Sequence, residues 1–134
     1  HVIPGIIHRM YLAKNKESNF TMYGTGSPLR QFLYAPDLAQ IILKFVYDYS
    51  GQYTNIICCN EETTIKTITE KIHGFMSMKG GIVSDISKSD GCMRKTVSNE
   101  RFNSIFPHFK YTTIDEGLEQ TIKWFTENYD TCRK

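Results

Sequence analysis

The chain has 134 residues, 40% of them hydrophobic and 22% charged, the size and balance of one globular domain able to bury a core without staples. A formal net charge of +2 is too small to imply a nucleic-acid or acidic-membrane partner. No apolar run approaches the length of a bilayer-spanning helix, and the expected setting is cytoplasmic.

In chain order, Val2, Ile3, Ile6, Ile7 and Met10 recur at helical spacing, which predicts a helix over about Ile3 to Lys14. Pro4 is compatible with it only inside the first turn, and Arg9 and Lys14 fall on its solvent side. Asn19 to Tyr23 alternates like a short strand, Gly24 to Pro28 is a turn, and Gln31 to Tyr34 reads as a second strand. Pro36-Asp37 opens a helix with an apolar stripe of Leu38, Ile41, Ile42, Phe45, Val46 and Tyr49.

The continuous run Asn55-Ile56-Ile57-Cys58-Cys59 suits a buried strand. Thr63 or Thr64 caps the next helix, with Ile65, Ile68, Ile72 and Phe75 on one face. Gly80-Gly81 precedes a strand at Ile82-Val83, and Ser87 to Val97 is polar enough to be a loop. Ser98 caps a short helix that carries Phe102, Ile105 and Phe106 inward. Thr113-Ile114-Asp115-Glu116 is a capping box for a last helix striped by Leu118, Ile122, Phe125 and Tyr129. The expectation is a mixed α/β domain, a small sheet with packed helices.

The four cysteines are Cys58, Cys59, Cys92 and Cys132. Their spacing offers neither a CxxC pair nor a zinc set, so reduced thiols and no metal are expected. Three segments invite chemistry. In Tyr23-Gly24-Thr25-Gly26-Ser27-Pro28-Leu29-Arg30 the glycines and proline make either a plain turn between strands or a tight turn that brings Arg30 to a ligand. A guanidinium donates two parallel hydrogen bonds to an oxyanion, so it suits a diphosphate. Lys88 to Lys95 sets Asp90 among three cations, either a solvated loop or a place for sugar hydroxyls and a nucleotide. His1 stands near Arg9, and imidazole is the side chain matched to proton transfer near neutral pH.

The segments "HVIPGIIHR", "FTMYGTGSPLRQFLYAPDLA", "KSDGCMRKTVSN" and "IKWFTENY" together resemble the carboxyl-terminal part of the GDP-L-fucose synthases, extended short-chain dehydrogenases/reductases that act as epimerase and reductase. The resemblance runs through the whole chain in the same order. It implies a substrate-binding domain over residues 1–134 without the Rossmann core, whose NADP fingerprint, YxxxK pair and catalytic cysteine are not found in this sequence. His1 matches the acid/base of C3 and C5 epimerisation, at the edge of the cofactor site. Arg9, Tyr23, Arg30, Asp90 and Lys95 match substrate-binding positions, with Tyr23 where the family commonly has tryptophan.

The resemblance further implies that the full-length protein is a homodimer using NADPH on GDP-4-keto-6-deoxy-D-mannose, whereas the isolated chain binds no cofactor and does not reduce. A start at His1 rather than methionine fits a fragment or a processed chain. Two alternatives stay open: a nucleotide-sugar-binding module without catalysis, or part of another GDP- or UDP-sugar epimerase or dehydratase.

Overall fold

In a computed structural model, residues 1–52 and 61–133 are described. The predicted strand at Asn55–Cys59 therefore lies outside the described residues, as do Cys58 and Cys59. The chain opens with helix α1, Val2–Asn15. Pro4 sits in its first turn, where a missing N–H breaks no intrahelical bond. Strand β1, Phe20–Tyr23, leads through the glycine turn into β2, Leu29–Gln31, and then into α2, Ala35–Asp48. Strand β3, Glu62–Thr64, runs directly into α3, Ile65–Phe75. Strand β4, Ile82–Asp85, is followed by β5, Arg94–Lys95, then α4, Glu100–Ile105, and α5, Ile114–Glu127.

The strands form two small sheets. β1 pairs with β4 in parallel, Phe20 opposite Ile82. In the other sheet β2 lies between β3, antiparallel with Arg30 opposite Thr63, and β5, parallel with Arg30 opposite Lys95. The turn after Tyr23 is thus not a hairpin turn: it carries the chain from one sheet to the other. The second strand also sits earlier than its apolar residues predict. The bonds to β3 and β5 select Leu29–Gln31, while Phe32 to Tyr34 continue as irregular chain.

One core fills the space between α1, α3, α5 and the inner face of β1. Ile7, Met10, Phe20, Ile68, Ile72 and Leu118 are each at most 2% exposed there. Alternation along β1 buries Phe20 and Met22 and leaves Thr21 and Tyr23 outside. Lys14, expected in solvent, reaches across to donate to the Met76 carbonyl at the C-terminal end of α3 (2.7 Å), one of the acceptors a helix end leaves open. A second cluster is aromatic: Phe102 of α4, buried completely, meets Phe45, Phe106, Phe109 and Tyr111 with ring centroids 5.5 to 6.2 Å apart.

Helix α2 corrects one expectation. Of its stripe only Ile41 is buried, whereas Leu38, Ile42 and Val46 are exposed. The helix is held instead at its two ends. Asp37, 4% exposed, accepts from the Thr112 N–H and hydroxyl (2.8 and 2.7 Å), and Phe45 packs on the aromatic cluster.

Two of the caps read from sequence, Thr64 and the Thr113 box, are present. Thr64 accepts from the Thr67 N–H at 3.0 Å, and in the Thr113–Glu116 box each side chain reaches the other's backbone. Asn99, not Ser98, occupies the N-cap of α4, although the Ser98 hydroxyl still accepts from the Glu100 N–H. Thr113→Ala is expected to lower stability by about 1 kcal/mol, read as a shift of the urea midpoint without a change in slope. A shift below a quarter of that would mean the box does not hold the helix.

Candidate functional site

The site grows from the glycine turn. Gly24 and Gly26 both have φ of +75°, a left-handed conformation that costs glycine little and other residues much. Neither has room for a side chain. A Cβ on Gly24 would lie 2.2 Å from an Asp90 carboxylate oxygen, and one on Gly26 would meet Met22 and Lys66 at 2.8 to 2.9 Å. The first amides of α3 bind this turn as well: Lys66 donates to the Gly26 carbonyl (2.8 Å) and Ile65 to that of Pro28 (3.0 Å).

Between the two glycines, Thr25 meets the Ser89–Cys92 loop. Its N–H donates to one Asp90 carboxylate oxygen and its hydroxyl to the other, both at 2.7 Å. The Thr25 hydroxyl, helped by the Thr25 N–H, holds the Asp90 carboxyl below its ordinary range. Asp90 is thereby engaged with the protein's own turn.

Arg30 stands mid-strand. One guanidinium nitrogen donates to the Leu29 carbonyl and the other to that of Cys92, both at 2.7 Å. Its sheet is braced across the top by Glu62 of β3, which takes a two-pronged ion pair from Arg94 of β5 (2.9 and 2.7 Å) and a bond from the Thr96 hydroxyl. The Arg94 bonds hold the Glu62 carboxyl down and the Arg94 guanidinium up.

A cleft of about 520 Å³ opens beside Arg30. His1, at the N-cap of α1, lines it together with Arg30, the Phe32–Ala35 connection, Thr112 to Ile114 and the inner side of α5. The structure therefore brings His1 and Arg30, far apart in sequence, to one hollow. The other expected site residues do not line it. Arg9 lies over the Tyr23 ring (4.5 Å) and the Phe20 ring (4.9 Å) and donates to the Thr21 carbonyl (3.1 Å), a cation–π arrangement against β1. Lys95 is exposed on β5, in register with Arg30. Sequence reasoning did not single out Thr25 or the Cys92 carbonyl. Only their contacts reveal them, across separations of 65 and 62 residues.

No group of acidic, histidine or cysteine side chains among the described residues is arranged to hold a metal ion. Cys92 and Cys132 are free thiols, and among the described residues no helix is long and apolar enough to cross a membrane.

The model of the NAD-dependent epimerase/dehydratase family matches residues 1–57. Over its full length the chain is 38% identical to a GDP-L-fucose synthase of Dictyostelium discoideum and 35% to a probable one of Drosophila melanogaster, covering 42% and 44% of those proteins. A crystal structure of a GDP-L-fucose synthetase from Naegleria fowleri superimposes with a TM-score of 0.96 at 37% identity, over all of this chain and 41% of that one. The same protein bound to NADP gives 0.95. The chain is thus similar from end to end to GDP-L-fucose synthases, and spans about two fifths of the length of these relatives.

Proposed function

We propose that this chain is the carboxyl-terminal, substrate-binding part of a GDP-L-fucose synthase, a cytoplasmic enzyme that epimerises GDP-4-keto-6-deoxy-D-mannose and reduces it with NADPH to GDP-L-fucose. The observation that carries this reading is the meeting of His1 and Arg30 on one cleft, in a chain similar to those synthases from end to end. Arg30 grips the diphosphate, whose charge suits a guanidinium already oriented by two carbonyls. His1 moves the proton at the carbons beside the ketone, on the face opposite a second group that these residues do not supply. Epimerisation needs both, since the proton leaves one face and returns to the other.

Arg9 with Tyr23 offers an aromatic, cationic surface to the sugar-nucleotide, and Lys95 a second charge near Arg30. NADPH and a homodimer belong to the full-length enzyme in this reading. His1 reaches only the edge of the cofactor, and no residue set in this sequence carries the dinucleotide fingerprint or the YxxxK pair.

Titrating GDP into the ¹⁵N-labelled 134-residue chain is expected to shift amides around Arg30 and the cleft at millimolar concentrations, while NADPH with the keto sugar is not consumed. NADPH oxidation by this chain would overturn the division of labour. Absence of any amide shift at saturating GDP would overturn the substrate-binding assignment.

A further inference from the structure

Arg30 does not orient itself. Its guanidinium rests on two backbone carbonyls, of which Leu29 is its own neighbour and Cys92 belongs to a loop 62 residues away. That loop is fastened at two points. On the β5 side the Leu29 N–H donates to the Met93 carbonyl (2.8 Å). On the other side stands Asp90, two residues before Cys92, with both carboxylate oxygens on Thr25.

The fit at that second point is close. The Gly24 Cα approaches so near that a methyl there would collide with the Asp90 carboxylate. Gly91, between the carboxylate of Asp90 and the carbonyl of Cys92 in sequence, takes φ of +69°, a left-handed conformation that favours glycine. Remove the Asp90 bonds and the segment keeps only its β5 anchor. The Cys92 carbonyl is then held from one side alone, through its neighbour Met93.

We propose that Asp90 is a positioning residue: by latching its loop to Thr25 it places the Cys92 carbonyl, which in turn aims Arg30 into the cleft. This rests on the reading of Arg30 as the diphosphate clamp, and it gives Asp90 a role different from a direct bond to sugar hydroxyls. A carboxylate with both oxygens engaged at 2.7 Å has less acceptor capacity left for a ligand.

The test uses the 134-residue chain, GDP as ligand, and side-chain ¹⁵N relaxation of the Arg30 guanidinium as a readout that needs no ligand. Asp90→Ala is expected to loosen Arg30 and to weaken GDP binding about tenfold, the worth of one oriented charge-assisted hydrogen bond. Asp90→Asn keeps an acceptor for the Thr25 N–H and is expected to restore most of both. Thr25→Val, which removes the hydroxyl from the other side of the latch, is expected to loosen Arg30 in the same way and serves if Asp90→Ala fails to fold. Weaker GDP binding with an unchanged Arg30 signal would mean direct contact and overturn the proposal, as would no change in either. If the wild-type chain binds no GDP, the clamp reading falls, while the Arg30 relaxation still decides the latch. Loosened Arg30 with unaltered GDP affinity supports the latch and sinks the clamp.

Discussion

Arg30→Ala is expected to weaken GDP binding by about 30- to 150-fold, corresponding to roughly 2–3 kcal/mol for hydrogen bonds to a charged group. The loss exceeds that of an ordinary surface cation because this guanidinium is held in place before the ligand arrives, by carbonyls at 2.7 Å on either side. Little side-chain entropy then remains to be lost on binding. Arg30→Lys separates charge from geometry. An ammonium keeps the positive charge but not the planar fork, so it is expected to recover only a minor part of the affinity. Titration of both variants by calorimetry or NMR reads the effect. A lysine variant as tight as the wild type would show that only net charge matters and that the carbonyl-oriented fork has no role.

Phe102→Ala is expected to cost about 3–5 kcal/mol of folding free energy. Phe102 is fully buried and is the residue on which Phe45, Phe106, Phe109 and Tyr111 converge. Those neighbours come from α2 and from the segment beyond α4. Truncating the ring therefore opens a cavity whose walls belong to separate elements, and they cannot all relax inward together. In a domain of this size the melting midpoint should fall by on the order of 10 °C. A loss under 1 kcal/mol would show that the aromatic cluster is loosely packed. Phe102→Leu, which refills most of the volume, should lie between the two.

What the sequence disclosed depended on whether the responsible interactions are local. The capping box at Thr113 and the Thr64 cap each lie within one helical turn, so residue order alone predicts them. The stripes of α1, α3 and α5 were legible because each faces a single core, although Val2 and Phe75, at the helix ends, stay exposed. Strands β3 and β5 were not. Glu62–Thr64 and Arg94–Lys95 carry no apolar alternation and exist because β2 offers hydrogen bonds on both edges.

The same distinction divides the site. Arg30 could be picked out behind its glycine turn, but its placement mid-strand, its support from Cys92 and the engagement of Asp90 with Thr25 are contacts across more than sixty residues. The stripe of α2 misled because periodicity shows that a face is apolar and not what it faces. Its Leu38, Ile42 and Val46 are exposed, while the helix is secured through Asp37 and Phe45.

The passage between the two sheets is doubled. One connection runs from β1 to β2 through Gly24–Pro28, and the other from β4 to β5 through the loop that carries Asp90. A single strip of backbone joining two rigid plates behaves as a hinge, free to swing about its own bonds. Two strips side by side, cross-tied at Thr25 and Asp90, behave as a braced panel that resists both swing and shear. The two plates are thereby expected to move as one body, with the strand that carries Arg30 held firmly between its neighbours.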